Sequence, residues 1–277
     1  MSRSTRRTGD ASDTHGPQAF DRYYEQLYGD RWPVLRTALV SPPHQIALSA
    51  PLKTPYYLDE ASRAAADALP LSPGDEVIDF CAAPGGKTLA LAVRLPEGAT
   101  LISNERSATR RARLHRVLDN HLPDALRSRV TVTGHDATRW GVVRPASAQR
   151  ILLDVPCSSE RHVITDPAHL SRWSAGRTRS LSIQAFALLA AAIDTLVVGG
   201  TLLYVTCALS PQENDDVVAR AFARRAGLVA LHRPDLPWGE ETRHGVHVLP
   251  DRADGRGPLY VALLEKVASG RDVGAPR

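Results

Sequence analysis

Cysteine and long apolar runs are scarce in this sequence, and each shortage excludes a class of protein. The 277 residues include three cysteines, Cys81, Cys157 and Cys207, with no Cys-x-x-Cys pair. Zinc-ligand spacing is therefore missing, and a disulfide framework is not expected in a chain without an export signal. No apolar segment approaches the ~20 residues that a membrane-spanning helix needs. We predict no metal site and no association with a membrane.

The first twenty residues also lack an apolar stretch, which argues against a secretory signal. They are rich in Arg, Ser and Thr, as a mitochondrial presequence would be, but Asp10 and Asp13 argue against that reading. We predict disordered tails over residues 1–17 and 269–277. The expected location is the cytoplasm, with the mitochondrial matrix as the alternative if the source is eukaryotic.

The charge balance is basic, with 34 Lys and Arg against 30 Asp and Glu. Arginine is dense in two stretches: Arg106, Arg110, Arg111, Arg113 and Arg116, and then Arg172, Arg177 and Arg179. Guanidinium groups pair with phosphates, so these stretches suit a polyanionic partner. A solvated helix face is an equally good interpretation of either one. Composition therefore permits a nucleic-acid partner and does not prove one.

Strand and helix patterns alternate along most of the chain. Residues 18–55 predict one or two short helices, with Pro33 near the start of the second, and then an extended linker. Gly199 and Gly200 are predicted to end the long helix that precedes the strand at 201–206. Seven short apolar runs predict strands at 76–80, 100–104, 129–134, 150–155, 201–206, 228–232 and 258–267. This order predicts an α/β domain with a mostly parallel seven-stranded sheet, helices on both faces, and ligands at the carboxyl ends of the strands.

A glycine-rich loop, DFCAAPGGKT, follows the first of these strands and precedes a helix. Gly85 and Gly86 would let the backbone approach a nucleotide-like ligand. A phosphate-binding loop would need glycine where Cys81 stands, and the dinucleotide fingerprint Gly-x-Gly-x-x-Gly is absent. A tight structural turn is the plain alternative for this segment.

Acidic residues follow the next two strands. Glu105, after the second strand, is well placed to accept hydrogen bonds from ribose hydroxyls. Asp136, after the third, could bond an adenine amino group. Either residue could instead cap a helix. The order Gly-Gly, Glu, Asp at three successive strand ends is more specific than any one of them, and it favours a nucleotide-like cofactor.

The fourth and fifth strands end in cysteine. Asp154 and Cys157 follow the fourth strand, with Pro156 fixing the turn, and Cys207 follows the fifth. Enzymes that methylate exocyclic amino nitrogens tend to carry an aromatic residue where Cys157 stands, so a cysteine there favours covalent chemistry. Buried thiols acting as small hydrophobes are the alternative. Two cysteines at adjacent strand ends, one beside an aspartate, indicate a reaction centre.

Such a centre suits methylation of cytosine at carbon 5. A thiolate added to carbon 6 makes carbon 5 enamine-like, and Asp154 would stabilise the adduct near ring N3 and the amino group. The nucleophile must be partly ionised, so we expect a lowered thiol pKa, with Lys87 or a cationic sulfonium as the cause. Because the base must be flipped out, single-stranded or loop cytosines should be preferred.

Three segments in order, VIDFCAAPGGKTLALA, ILLDVPCSSERH and LLYVTCALSPQEN, resemble the motifs of the Sun family of RNA cytosine-5 methyltransferases. The segments FDRYYEQLYGDRWP and YYLDEAS look most like the branch that contains the mitochondrial small-subunit rRNA enzyme, and bacterial relatives also act on rRNA. The resemblance implies a Rossmann-like class I S-adenosylmethionine-dependent methyltransferase domain over 56–268, with a short helical extension over 18–55. It implies RNA as the substrate, with rRNA favoured over tRNA.

The resemblance also implies roles for individual residues. Cys207 would be the nucleophile, and Cys157 would help to release the product. S-adenosylmethionine would be contacted by Cys81, Ala82, Ala83, Pro84, Gly85, Gly86, Lys87, Glu105, Asp136 and Asp154. The chain departs from the family in having Thr-Cys-Ala where Thr-Cys-Ser is commoner, and in lacking a recognisable RNA-binding domain near its start.

Two other classes of protein compete with this interpretation. A DNA cytosine-5 methyltransferase would use Cys157 as its nucleophile, would leave Cys207 without a role, and would need a target-recognition region for which the sequence has no room. A non-catalytic RNA-binding ribosome assembly factor could keep the fold and the cofactor loop. Intact Cys157, Cys207 and Asp154 argue against lost activity.

Overall fold

The structure is a computed structural model that describes residues 14–269, and most of both predicted tails lies outside this range. Its strands are β1 (Gln45–Leu48), β2 (Tyr56–Asp59), β3 (Glu76–Asp79), β4 (Thr100–Asn104), β5 (Val130–Thr133), β6 (Ala148–Asp154), β7 (Leu196–Thr206), β8 (Val229–His232), β9 (Gly239–Glu241), β10 (Val246–Val248) and β11 (Leu259–Lys266). Its α-helices are α1 (Gly16–Tyr28), α2 (Trp32–Val40), α3 (Glu60–Asp67), α4 (Gly86–Ala92), α5 (Ala108–His121), α6 (Asp124–Arg127), α7 (Trp140–Val143), α8 (Glu160–Thr165), α9 (Pro167–Leu170), α10 (Ala175–Thr195) and α11 (Asp215–Arg224).

The central sheet has nine strands within the described residues. Its order is β5-β4-β3-β6-β7-β11-β10-β9, with β8 also paired to β11. The first five of these strands are parallel, and β11 joins β7 antiparallel. Seven of the nine are the predicted strands. The sheet is larger than predicted because β9 and β10, of three residues each, also pair at its edge.

Alternating side chains of the sheet bury two apolar layers. On β6 and β7, Leu152 and Leu203 pack toward the face that α3, α4 and α5 cover, while Ile151 and Tyr204 pack toward α7, α10 and α11. This alternation follows from the two-residue period of a strand. The chain runs outward from β3 to β5 and then crosses back to β6, so the strand order reverses beside β3. Ligands of such sheets bind at that point, beyond the carboxyl ends of the strands.

The two predicted N-terminal helices are confirmed as α1 and α2, with Pro33 in the first turn of α2. They pack through an aromatic cluster in which the Tyr24 and Trp32 rings stack with centroids 5.2 Å apart. Phe20 meets Trp173 edge-on at 5.4 Å. Because α1 begins at Gly16, the predicted tail boundary at residue 17 lies inside this helix. The extension thus packs against the region that follows β6.

Two local predictions were wrong. Gly199 and Gly200 do not end a helix: α10 ends at Thr195, and both glycines lie within β7. Gly199 has a φ of +81°, and a Cβ on Gly200 would lie 2.9 Å from the Val197 carbonyl oxygen, so both positions favour glycine. The supposed linker over residues 41–55 contains β1, which pairs antiparallel with β2. Across residues 14–269, no helix is long and apolar enough to span a membrane.

Candidate active site

Two cysteines that are distant in sequence meet at the carboxyl ends of β6 and β7. The strands pair in parallel with Asp154 opposite Val205, so the loops that follow them start side by side. The sulfurs of Cys157 and Cys207 lie 3.0 Å apart although the residues are 50 positions apart. Both are free thiols. The hydroxyl of Ser159, two residues after Cys157, lies 3.1 Å from the Cys207 sulfur.

The two thiols differ in acidity. A hydrogen bond from Cys157 lowers the pKa of Cys207, with smaller lowering contributions from the Ser159 hydroxyl and the Lys87 charge, against the opposing effect of burial. The same bond, together with burial, raises the pKa of Cys157 well above its ordinary value. The predicted lowering is therefore confirmed, but its main cause is the neighbouring thiol rather than a positive charge. Cys207 is the thiol disposed to ionise, and Cys157 keeps its proton.

This difference gives a prediction for thiol titration. We expect Cys207 to be alkylated by iodoacetamide with a pH midpoint below that of a model thiol, because a lowered pKa leaves more thiolate at any pH below it. In Cys157→Ala the donor is lost, so the midpoint should move to higher pH. Peptide mass spectrometry would follow each cysteine separately. Cys81, whose pKa burial raises, is an internal control that should react slowly. An unshifted midpoint in the variant would contradict this account.

Asp154 and Lys87 form an ion pair beside the thiols. Lys87 Nζ donates to Asp154 Oδ2 at 2.9 Å, and the lysine side chain is only 14% exposed. Burial lowers the pKa of Lys87, but attraction to Asp154 and the hydrogen bond outweigh it, so the pKa is raised and the ammonium stays charged. Asp154, Lys87 and Cys207 all line a cavity of about 650 Å³ whose walls include the end of α2 and the segment at Pro258. That volume is within the range of small-ligand pockets.

The glycine-rich loop borders a smaller cavity of about 180 Å³, lined by Cys81, Ala82, Ala83, Pro84, Gly86, Lys87 and Asp154. A Cβ on Gly86 would lie 3.0 Å from a ring carbon of Tyr56, so a side chain there would crowd the cavity wall. Gly85 has a φ of +121° and faces Val117 of α5 instead of the cavity. Its role is thus to turn the chain, because few other residues tolerate that φ.

Glu105 and Asp136 line a third cavity, of about 330 Å³, together with Cys81. Glu105 is 5% exposed and accepts the Ser107 backbone N–H at 2.8 Å. Asp136 caps the short 3-10 helix Ala137–Arg139, where the Thr138 hydroxyl lowers the pKa of its carboxyl. Asp136 can therefore cap this helix and line the cavity at the same time.

The three cavities form a row. Cys81 lines both the Glu105 cavity and the loop cavity, while Lys87 and Asp154 line both the loop cavity and the 650 Å³ cavity. Within the loop cavity, Asp79 Oδ1 is buried with no hydrogen-bond partner in the described part of the chain, and burial raises the pKa of Asp79 to about 7. An ammonium group bound there would provide the missing partner. The linings can hold a nucleoside beside Glu105 and an amino-acid group beside Asp79.

The comparisons with known proteins decide the family. Residues 66–265 match the family model described as 16S rRNA methyltransferase RsmB/F. The chain belongs to the RsmB/F family. This confirms the resemblance to the Sun family.

Curated relatives of this RsmB/F-family chain cover most of its length. It is 36% identical over 229 residues to the 5-cytosine rRNA methyltransferase NSUN4 of Xenopus tropicalis, covering 76% of the chain and 56% of that protein. It is 30% identical to a mitochondrial tRNA (cytosine(34)-C(5))-methyltransferase of Mus musculus, covering 79% and 66%. Ribosomal RNA small subunit methyltransferase B of Pseudomonas syringae is 34% identical, with 76% and 47% covered. The chain thus spans about half to two thirds of the length of these relatives.

Solved structures confirm the predicted fold class. A methyltransferase homolog protein from Pyrococcus horikoshii superposes with a TM-score of 0.69 at 20% identity, covering 90% of the RsmB/F-family chain and 95% of that structure. NSun6 from the same organism gives a TM-score of 0.67 at 23% identity, covering 83% and 57%. Likeness at this identity shows the class I methyltransferase fold.

Two of the clustered arginines serve the protein itself. Arg110 donates to the Ala83 carbonyl at 2.7 Å and faces Glu105 at 3.4 Å, and Arg111 donates to the Glu105 carbonyl at 2.8 Å. These bonds hold the loops that follow β3 and β4, although the Arg110 side chain is itself 51% exposed. Arg106, Arg113 and Arg116 are exposed. The exposed arginines agree with a solvated helix face, and a polyanionic partner for this stretch stays a prediction.

A buried carboxylate that the sequence did not single out ties the two cysteine loops together. Glu160 accepts bonds from the hydroxyls of Tyr24 and Ser158 and, at 3.0 Å, from the backbone N–H of Leu209. In parallel, the Ser158 backbone N–H donates to Glu213 at 2.9 Å. One loop follows β6 and the other follows β7, so this network fixes the position of each sulfur relative to the other.

Removing that carboxylate should destabilise the fold. Glu160→Ala leaves three buried donors unpaired, which we expect to lower the free energy of unfolding by about 3–5 kcal/mol. Glu160→Gln keeps an acceptor and should cost less than half as much. Urea denaturation monitored by tryptophan fluorescence would measure both. Equal stability of the alanine variant and the wild type would show that the network does not hold the loops.

Proposed function

We propose that the protein transfers a methyl group from S-adenosylmethionine to carbon 5 of cytosine in RNA, through a covalent bond between the Cys207 sulfur and carbon 6. The supporting observation is that the Cys207 sulfur lies 3.0 Å from the Cys157 sulfur and that Cys207 lines a cavity together with Asp154 and Lys87. That cavity adjoins the glycine-loop cavity through the same two residues. A base in the 650 Å³ cavity would therefore lie next to a cofactor in the glycine-loop cavity.

The reaction begins at Cys207. Its thiolate forms a bond to carbon 6, and the electrons of the C5–C6 double bond shift through carbon 4 toward N3. The Lys87–Asp154 pair donates a proton to N3 as the thiolate adds, which neutralises the charge that the addition creates, and it takes this proton back once carbon 5 carries the methyl group. Lys87 orients Asp154 through their ion pair. S-adenosylmethionine supplies the methyl group as an electrophile for carbon 5.

Release of the product requires loss of the carbon 5 proton, and the proposed acceptor is Cys157, whose sulfur lies 3.0 Å from that of Cys207. Once the Cys207 sulfur is bound to carbon 6, it carries no negative charge. The pKa of Cys157 then falls, and its thiol can release its proton to solvent. The Cys157 thiolate then takes the carbon 5 proton. The freed electron pair re-forms the C5–C6 double bond, the C6–S bond breaks, and Cys207 leaves as a thiolate beside a protonated Cys157.

Small-subunit rRNA is the proposed substrate. The family model carries that description, and the 36%-identical relative is an rRNA methyltransferase by name. The mitochondrial tRNA relative, at 30% identity, makes tRNA the second candidate. Bisulfite sequencing of total RNA from a strain of the source organism that lacks the gene tests both. One lost signal in small-subunit rRNA supports the proposal, a lost tRNA signal supports the second candidate, and an unchanged pattern contradicts both.

A further inference from the structure

Arg161, on the wall of the 650 Å³ cavity, forms no ion pair with any of residues 14–269. Arg161 lies on α8, two residues after Ser159, and both residues line this cavity together with Cys207. Its Nε and Nη1 atoms are buried and make no hydrogen bond among residues 14–269. Its Nη2 donates to the Ala38 carbonyl of α2 at 3.2 Å. A guanidinium has five N–H donors, so most of its capacity is unused here.

The other charges of the cavity are already engaged. Lys87 is paired with Asp154 at 2.9 Å. Asp59 accepts the backbone N–H groups of Ala61 and Gly257, at 2.9 and 3.1 Å, and has no ion pair with Arg161 in the described residues. Burial lowers the pKa of Arg161 despite the opposing attraction of Asp59, so the positive charge is desolvated and a ligand anion would stabilise it. Buried donors without partners usually mark a missing acceptor.

Nucleotide chemistry indicates which acceptor is missing. In the usual anti conformation of a pyrimidine nucleotide, carbon 6 faces the 5′-phosphate side of the ribose. A nucleotide held with carbon 6 at Cys207 therefore carries its 5′-phosphate along the wall beyond the thiol. Ser159, which contacts the Cys207 sulfur at 3.1 Å, leads directly into the turn of α8 that carries Arg161. Arginine is well suited to a phosphate because its donors form a planar fork.

We infer that Arg161 binds the phosphodiester on the 5′ side of the target cytidine, an inference that rests on the proposed function. The phosphate takes the unused N–H groups of the guanidinium, while the Ala38 carbonyl holds the side chain from the other side. Arg161 thereby fixes the flipped nucleotide in the cavity and contributes mainly to RNA affinity rather than to the chemical step.

The test compares two RNA strands and three variants. The probe is a fluorescent twelve-nucleotide single strand with one cytosine, whose 5′-phosphate is either native or replaced by a neutral methylphosphonate. On the native strand, Arg161→Met should raise Kd about tenfold, and the slope of log K against log salt should fall by about 0.7, as for one lost phosphate contact on a single strand. Arg161→Lys should recover most of the affinity. Arg224→Met removes an exposed positive charge at the end of α11 and is the matched control.

The neutral strand separates a phosphate contact from other roles. The wild-type protein should bind the neutral strand with about the Kd that Arg161→Met shows for the native strand. Arg161→Met should bind both strands with the same Kd. A tenfold loss in Arg161→Met that persists on the neutral strand would overturn the inference in favour of a contact to the base. Equal effects of Arg161→Met and Arg224→Met would overturn it as a nonspecific charge effect. Methyl transfer by wild type to small-subunit rRNA is measured separately: if it fails while the strand comparison holds, only the proposed function falls.

Discussion

Replacing Cys207 with alanine is expected to abolish methyl transfer, lowering kcat by about 10⁴-fold or more, as loss of a covalent nucleophile does in other enzymes. Cys207 is the thiol with the lowered pKa, and it is the cysteine of the pair that lines the 650 Å³ cavity. Without it, carbon 5 of cytosine would have to attack the methyl group unaided. Incorporation of tritiated methyl groups into RNA would measure the loss.

Matched variants make the Cys207 result specific. Cys81→Ala should lose far less activity than Cys207→Ala, because Cys81 does not line the 650 Å³ cavity and burial raises the pKa of its thiol. Binding of S-adenosylhomocysteine should be unchanged in Cys207→Ala, which would show an intact fold. If Cys207→Ala methylated RNA at the normal rate while Cys157→Ala did not, the nucleophile would be Cys157, as in DNA cytosine-5 methyltransferases.

Replacing Cys157 with alanine is expected to trap the enzyme on its substrate. The thiolate of Cys207 can still add to carbon 6, but the group proposed to accept the carbon 5 proton is gone, so breakdown of the adduct should slow by about 10²-fold or more. A protein–RNA band that survives denaturing electrophoresis should then accumulate. The alkylation midpoint of Cys207 should also rise in this variant, so adduct formation is best followed above neutral pH.

The double variant Cys157→Ala/Cys207→Ala is the control for the trapped species, since it retains no sulfur that could bond to carbon 6. It should give no denaturation-resistant band. Free methylated product from Cys157→Ala at the wild-type rate would remove Cys157 from the mechanism. A band that persisted in the double variant would show that the cross-link has a different origin.

Much of the fold could be predicted because its strands are apolar runs bounded by turn residues. The seven predicted strands all form, since β3, β4 and their neighbours bury alternating side chains on both faces of the sheet. β9 and β10 were missed because a strand of three residues is too short to show the two-residue alternation of side chains. The helix end was misplaced at Gly199 because a glycine inside a strand and a glycine after a helix look alike in sequence.

The site residues that directly follow a strand could be predicted from the sequence. Residues after parallel strands share one edge, which is why Asp154, Cys157 and Cys207 were expected together. Glu160 and Arg161 could not be found in this way. Tyr24 and its acceptor Glu160 are separated by 136 positions. The unused N–H groups of Arg161 could not be predicted from the sequence, because they depend on how the cavity wall folds.

The parallel register of β6 and β7 has a consequence for how such enzymes diversify. Because Asp154 pairs with Val205, the sheet sets where the two cysteine loops begin, whatever the length of chain between them. Insertions at the exposed turn of Ser171 and Arg172 would change the interval between the cysteines while leaving the chemistry in place. Genome searches that require a constant gap between Pro-Cys and Thr-Cys would therefore overlook true homologues, whereas searches that anchor each motif to its own strand would recover them.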